Sequence, residues 1–164
     1  MKIGVISDTH LETPSPLLRI VAEKYFRDVD MVFHAGDIQA PEVLEAFEKK
    51  PCYVVAGNRD RAIIKETYPA RELIEVEGFR IGLTHGWGFP FGLAKRASSL
   101  FEDIDCLVFG HSHRPTNHRR HGVLFFNPGA FNGGVFSLWR RTVGILNIKN
   151  DIRGKILRIS SEQA

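Results

Sequence analysis

Seven polar side chains stand at or just beyond the ends of short apolar runs in this 164-residue sequence: Asp8, His10, Asp37, Asn58, His85, His111 and His113. Two carboxylates, one amide oxygen and four imidazoles make a donor set suited to borderline divalent metals such as manganese, iron, zinc, cobalt or nickel. Seven donors are too many for one ion that keeps an open catalytic position, and comfortable for two. Two dications set four positive charges against two carboxylates, and the surplus can hold a bridging hydroxide and a phosphate oxygen. In such pairs, about 3.5–4 Å apart, the ions activate water and stabilise an in-line displacement. Taken singly, each residue has a plainer explanation. An Asp after a strand is commonly a cap or turn residue, and a lone His a hydrogen-bonded structural one. His111 and His113 go further, because alternate residues of an extended stretch can point to one side.

The elements that must position these residues follow from the apolar pattern. Lys2–Ser7, Asp30–His34, Pro51–Ala56, Phe79–Thr84 and Asp105–Phe109 are continuous apolar runs of strand length, each running into a candidate ligand or a glycine beside one. Such runs mark strands buried on both faces. Helical patterns lie between them. Ser15 and Pro16 form an N-cap and first helical residue, followed by Leu17, Leu18, Val21 and Tyr25 at helical spacing through Arg27. Pro41 opens a second helix carrying Val43, Leu44 and Phe47. Arg61–Tyr68 is a weaker one stopped by Pro69, and Leu93, Ala94, Ala97, Leu100 and Phe101 form a further stripe. Leu73–Val76 and Phe79–Leu83 read as a hairpin about Glu77–Gly78. Alternating strands and helices predict an α/β domain. After Gly122 the pattern is strand-like without helices, over Val123–Phe126, Val135–Trp139, Thr142–Ile148 and Ile152–Ile159, and predicts an antiparallel second half.

Ligands of open α/β sheets bind beyond the carboxyl ends of the strands. The intervals from Asp8 through Asp37, Asn58 and His85 to His111 are 29, 21, 27 and 26 residues, each about one strand–helix or strand–hairpin unit. Five consecutive units therefore deliver their polar residues to one rim. Glycines at 36, 57, 86 and 110 leave room for tight turns and close backbone approach.

Asp8–x–His10, Gly36–Asp37, Gly57–Asn58, Thr84–His85–Gly86 and Gly110–His111–Ser112–His113 resemble the motifs of the calcineurin-like metallophosphoesterases. The opening KIGVISDTH, the short chain and the late Asn127–Pro128–Gly129 turn resemble the small single-domain phosphodiesterase branch of that superfamily. The match runs from residue 2 to about residue 130. The resemblance implies a four-layer α/β/β/α sandwich of two mixed sheets flanked by helices, with the C-terminal strands as a second sheet on the first. It implies that Asp8, His10, Asp37 and His113 hold one metal, and that Asp37 bridges to a second held with Asn58, His85 and His111. The cofactors implied are two divalent transition metal ions, manganese foremost, with nickel, zinc, iron or cobalt as alternatives. The activity implied is hydrolysis of phosphodiesters through a metal-bridging hydroxide, with Asn58, Asp37 and His85 as the catalytic set. Phosphomonoesterase, nucleotide phosphatase or nuclease activity on the same site stays open. A different class is a non-catalytic interaction scaffold, as in the retromer subunit of this fold that has lost ligands; the full ligand set here argues against it.

One departure from the pattern bears on chemistry. The wider family often carries a histidine after the motif asparagine, thought to protonate the leaving group, and here that position is Arg59, followed by Asp60. Arginine cannot act as a general acid near neutral pH. Arg59 either clamps phosphate bidentately, beside Asn58 as a substrate-binding pair, or lies on the surface paired with Asp60. Without that acid, substrates with good leaving groups, such as aryl phosphodiesters, are favoured. His34 either orients Asp37 or makes a structural hydrogen bond, and Asn127 either touches substrate or serves its turn. Arg114, His118, Arg119, Arg120 and His121 form a basic stretch that is a solvated face or an anion-steering one. Trp87, Phe89 and Phe91 either line a pocket for a base or aryl group or anchor their Gly/Pro-rich loop.

The bulk composition excludes other classes. With 43% hydrophobic and 25% charged residues the chain is ordinary for one globular domain, here residues 1–164, and neither disordered nor membrane-spanning. A net charge of +3 suits a small anionic substrate and falls short of a nucleic-acid binder's basic face. Nucleic acid and membrane partners are therefore not expected, whereas a homo-oligomer is compatible with the sequence. Cys52 and Cys106 sit in apolar runs as buried reduced thiols. With no room for a signal-peptide core before Asp8, the expected location is cytoplasmic.

Overall fold

The computed structural model describes residues 1–134 and 140–160. The first three apolar runs form β1 (Lys2–Ile6), β2 (Met31–His34) and β3 (Cys52–Val54), hydrogen-bonded in parallel in the order β1-β2-β3. Helical segments cross between them. In α1 (Pro16–Ile20), Pro16 opens the helix and the Ser15 hydroxyl accepts the Leu18 N–H at 3.2 Å, the cap read from the sequence. Over Val21–Tyr25 the helix widens into a π turn. Pro41–Phe47 forms a 3₁₀ segment where an α-helix was expected, with Val43 and Phe47 still buried. The next helix, α2 (Ala62–Thr67), ends where Tyr68 turns extended (φ −117°, ψ 142°), as the residue before a proline must.

The hairpin is β4 (Arg71–Val76) and β5 (Phe79–Thr84). Its two turn residues, Glu77 and Gly78, have φ of 52° and 81°, the left-handed pair that suits a two-residue turn. After α3 (Leu93–Ser98) come β6 (Cys106–Phe109), β7 (Thr116–Arg120), β8 (Val123–Asn127), β9 (Thr142–Ile148) and β10 (Ile152–Arg158). Among the described residues two five-stranded mixed sheets result, ordered β10-β9-β1-β2-β3 and β4-β5-β6-β8-β7.

Strand alternation fills the layers. Ile3 and Val5 of β1 pack with Phe33, Ile81, Leu83, Val108, Phe126 and Leu146 between the sheets. Ile6, Val32 and Val54 face the other way, onto Leu18, Val21, Phe47 and Ile64 of the helical segments. Leu107, Phe109 and Phe125 on the outer face of the second sheet meet Leu93 and Ala97 of α3. This is the four-layer α/β/β/α sandwich. No helix among the described residues is long and apolar enough to cross a membrane.

Two expectations on sheet membership are corrected. The C-terminal strands do not build a sheet of their own. β9 and β10 cover the free edge of β1, with Lys2 opposite Asn147 and Val5 opposite Gly144, while β8 lies parallel to β6 in the second sheet. Periodicity identifies strands but carries no information on which distant edge they pair with. The basic stretch holds a strand, β7, at the edge of the second sheet, where charged side chains discourage pairing with another chain. The ligand-bearing strands do not share one sheet either: β1, β2 and β3 lie in the first, β5 and β6 in the second, and the rim is where the two sheet ends meet. The expected strand Val135–Trp139 lies outside the described residues.

Candidate metal centre

Beyond β1 and β2 the two chains continue side by side into the site. The N–H groups of Asp8, His10 and Leu11 donate to the carbonyls of Gly36, Asp37 and Ile38 at 3.0, 3.0 and 3.1 Å. His34 ties the same loops from within. The Gly36 N–H donates to its Nδ1 at 3.2 Å, so Nε2 carries the proton and donates to Thr9 Oγ1 at 3.2 Å. Thr9 in turn donates to the Asp37 carbonyl at 3.4 Å. Complete burial holds the His34 pKa down to about 3, so this histidine is a neutral strut. The reading of His34 as a hydrogen-bonded structural residue holds, and the strut it forms also fixes Asp37.

Five of the seven predicted residues take left-handed backbone: Asp8, His10, Asp37, His111 and His113, with φ of 56°, 48°, 58°, 65° and 56°. Each such non-glycine residue costs roughly 1 kcal/mol or more and persists only where its surroundings over-determine it. The carboxylates show how. Asp8 Oδ2 accepts the Ser7 hydroxyl at 2.5 Å and the His111 N–H at 3.3 Å. Asp37 Oδ1 accepts the Arg59 N–H at 2.8 Å. One oxygen of each is thereby anchored, and the other, Asp8 Oδ1 or Asp37 Oδ2, faces the centre. Glycines make the approach feasible: a Cβ on Gly57 would fall onto the Asp37 carboxylate, and one on Gly110 onto the Ser7 hydroxyl.

The histidines surround those free oxygens. His113 Nε2 lies 3.0 Å from Asp8 Oδ1, and His10 Nε2 lies 4.0 Å from it and 3.9 Å from Asp37 Oδ2. His85 is buried, and its Nδ1–H donates to the Ala35 carbonyl at 2.7 Å. Its Nε2 therefore faces Asp37 Oδ2, 3.4 Å away, and Asp8 Oδ1, 3.9 Å away. A carbonyl accepting the second ring N–H is the usual way a metal-binding histidine is oriented. Burial opposes protonation of His85, but the close ion pair with Asp37, with the charge of Asp8, outweighs it and raises its pKa to about 9. Burial likewise pushes both carboxylates up, and contacts with His113 and His85 hold Asp8 and Asp37 respectively below the ordinary carboxylate value. For His10 burial wins and lowers the pKa, helped by the charges of His113 and Arg59 against those of Asp8 and Asp37.

Among the described residues two donor groups close up within 4.8 Å: Asp8, His10 and His113, and Asp8, Asp37 and His85. Asp8 Oδ1, His10 Nε2 and His85 Nε2 are buried with no hydrogen-bond partner among those residues. Native proteins seldom tolerate such orphans, and a cation satisfies all three. His111 joins neither group. Its ring stands edge-on to His85 with centroids 5.3 Å apart. Its Nε2 meets the Gly88 carbonyl at 2.6 Å and its Nδ1 meets Asn58 Oδ1 at 2.8 Å. The Gly88 carbonyl only accepts, so Nε2 carries the proton and Nδ1 turns its lone pair to the Asn58 amide, the side on which a metal ion can be taken. The donor set fits divalent metal on this evidence.

Arg59 and Asp60 are not paired in the way weighed from the sequence. The Arg59 side chain is exposed and its charge reaches His10. Asp60 is buried, and its carboxylate accepts the N–H groups of Asp37 (3.0 Å), Gly57 (2.7 Å) and Gln39 (2.8 Å). Asn127 is fully buried: its Nδ2 donates to the Gly110 carbonyl at 2.7 Å and its Oδ1 accepts the Gly129 N–H at 2.8 Å. It therefore serves its turn, and holds the loop of His111 and His113. Sequence reasoning missed the roles of Ser7 and Asp60. The signal available for both was a polar residue directly beside a ligand motif.

The aromatic loop divides. Trp87 walls a groove of about 530 Å³ with Ala56, Tyr68 and Leu100, and Asn58 and His85 line the same groove. Phe89 and Phe91 stack on each other at 5.5 Å and face solvent.

The model of the calcineurin-like phosphoesterase superfamily domain matches residues 1–151. A probable metallophosphoesterase of Methanothermobacter thermautotrophicus is 38% identical over 133 residues, covering 79% of this chain and 77% of that protein. A phosphodiesterase of Methanocaldococcus jannaschii is 28% identical over 162 residues, 90% of this chain and 93% of that one. The fold also matches Vps29 of Entamoeba histolytica, crystallised with zinc, at a TM-score of 0.71 and 23% identity over 96% of this chain and 99% of that one.

Proposed function

The chain belongs to the calcineurin-like phosphoesterase superfamily, and from that premise we propose that residues 1–164 form one catalytic domain, a phosphodiesterase that works with two divalent metal ions. The carrying observation is the cluster of buried donor atoms, Asp8 Oδ1, His10 Nε2 and His85 Nε2, that have no hydrogen-bond partner among the described residues. Asp8, His10, Asp37 and His113 would hold one ion, and Asn58, His85 and His111 the second, with Asp37 shared; manganese suits this mixed oxygen and nitrogen set. When bound, two dications activate water and polarise the phosphoryl group.

The chain's own groups do the rest. Asn58, exposed at the rim, offers an amide N–H to a phosphoryl oxygen, and the neighbouring Arg59 guanidinium offers a fork that fits two oxygens at once. The Ser7, Asp60 and His34 hydrogen bonds hold the carboxylates still, so that little reorganisation accompanies reaction. A diester leaves two phosphoryl oxygens for the ions and Arg59. The absence of an acid at position 59 favours esters whose leaving group departs unprotonated, and a 28%-identical relative is named a phosphodiesterase.

The Vps29 likeness brings a second reading, a protein-binding platform of the same fold. One experiment separates the two. Metal analysis of the purified protein is expected to find about two transition ions per chain, and manganese-loaded protein to hydrolyse bis(4-nitrophenyl) phosphate. Asp37→Asn and His111→Ala are expected to abolish that activity. Full activity in either variant, or in chelated protein, refutes the two-metal reading; metal binding without turnover of any diester or monoester favours the platform.

A further inference from the structure

The groove beside Asn58 and His85 has the composition of a subsite for one ester arm of the substrate. Its walls are the Trp87 indole, the Tyr68 ring, Leu100 and Ala56, and Lys65 and Arg71 also line it. It is continuous with the metal centre, because Asn58 and His85 belong to both. A ligand whose phosphorus sits over the centre can lay one substituent along this groove without leaving contact with the protein.

Trp87 is 45% exposed, and a free indole on a loose loop would gain little from a ligand. This loop is not loose. The Arg96 guanidinium donates to the carbonyls of Trp87 at 3.0 Å and Phe91 at 2.9 Å, and to that of Phe89. From the other side His111 Nε2 donates to the Gly88 carbonyl at 2.6 Å. The backbone that carries the indole is thus anchored next to a candidate ligand histidine, which limits the ordering cost of presenting that ring to a ligand. The cations add polarity at the edges. Lys65 Nζ donates to the Asn58 carbonyl at 3.0 Å and Arg71 Nη1 to that of Leu100 at 2.9 Å, which leaves each with further N–H groups for acceptor atoms on a ring.

The geometry assigns this groove to a planar aromatic ester arm, an aryl or nucleobase-bearing group, and makes Trp87 the residue that selects it. The assignment rests on the phosphodiesterase reading above. Flat rings on two walls and donors along the lining match a flat ring with acceptor atoms at its edge; a short alkyl arm would leave the indole uncovered. The stacked Phe89 and Phe91 point away and take no part.

The test holds the leaving group constant and changes only the other arm. Methyl 4-nitrophenyl phosphate and phenyl 4-nitrophenyl phosphate are compared on manganese-loaded protein. KM is expected to be about tenfold lower for the phenyl ester, with kcat changed far less. Trp87→Ala should bring the two KM values within about twofold of each other, and Trp87→Phe should keep most of the difference. Equal KM values in the parent protein, or discrimination that survives Trp87→Ala combined with Tyr68→Ala, overturn the assignment. Calorimetric titration with methyl(phenyl)phosphinate against dimethylphosphinate, neither of which has an ester bond to break, reads the groove without turnover. If neither ester is hydrolysed, the phosphodiesterase reading fails on its own, and the titration decides the groove: tighter phenyl binding that is lost in Trp87→Ala supports it, and equal binding refutes it.

Discussion

Replacing Asp60 tests whether the centre is built by its ligands or by the groups behind them. The Asp60 carboxylate is 4% exposed and accepts three backbone N–H groups, from Asp37, Gly57 and Gln39. Asp60→Ala strands all three donors. Each buried donor without a partner costs about 1–3 kcal/mol; Asp37 and Gly57 are buried, while Gln39 is part-buried and can recover water. A loss of about 3–5 kcal/mol follows, a large share of the roughly 5–15 kcal/mol that holds an average domain together. At about 2–4 °C per kcal/mol the melting temperature should fall by on the order of 10 °C. Asp60→Asn is the milder probe, since its carbonyl can still accept two N–H bonds, though its NH₂ then faces the third. Its expected cost is about 1–2 kcal/mol in urea unfolding. The second readout is specific to position. In Asp60→Ala no acceptor meets the Asp37 N–H that holds the left-handed φ of 58°, and the Asp37 side chain moves off the centre. Manganese affinity, read by calorimetry on Asp60→Ala at a temperature where it is folded, should fall about 10–100-fold, the usual cost of losing a group that orients a ligand, whereas Asp60→Asn, which keeps an acceptor for that N–H, should lose less. Stability of Asp60→Ala within about 0.5 kcal/mol of the parent protein, or unchanged manganese affinity in that variant, refutes the reasoning.

His85 sets the pH dependence. Its folded-state pKa is raised to about 9 by Asp37 and Asp8 against the opposing effect of burial, so in metal-free protein its stabilising contribution is complete below about pH 6.5 and is lost as pH rises through about 9. A metal must displace that proton. Uptake at pH 7.5 should therefore release about one proton from His85, and affinity should weaken up to about tenfold per unit as pH falls below about 9; identical calorimetric enthalpies in buffers of different ionisation enthalpy would contradict this. Arg59→His restores an acid beside Asn58 and should narrow the preference for aryl over alkyl leaving groups, measured as a ratio of kcat/KM values. An unchanged ratio removes position 59 from the account of substrate choice.

What was legible in the sequence was local. An apolar run ending in a polar residue marks a strand end whatever its partner, so β1, β2, β3, β5 and β6 and the polar residues beyond them were visible, as were the Ser15 cap and the Glu77–Gly78 turn. Facts that depend on partners distant in sequence were hidden. Nothing in Thr142–Arg158 says that its hairpin joins β1 rather than β8. The same limit hid the role of Asp60, and the part of Asn127 beyond its turn, because these side chains meet Asp37 and Gly110 only in the folded chain.

The glycines carry the point into the site itself. Their presence beside ligand positions suggested tight turns and close backbone approach, and both are found: Gly36 and Gly86 take positive φ, and Gly57 and Gly110 make room for neighbouring loops. The sequence did not show that Asp8, His10, Asp37, His111 and His113 take left-handed backbone themselves. A strained residue is stable only where hydrogen bonds from other elements fix it, and here those bonds come from Gly36, Asp60, Arg59 and Ser7. The orientation of the donors is therefore set by the fold before any metal binds. On this ground the Asp60 variant, which touches none of the proposed ligands' side chains, should lower metal affinity as surely as the loss of a ligand's own orienting bond.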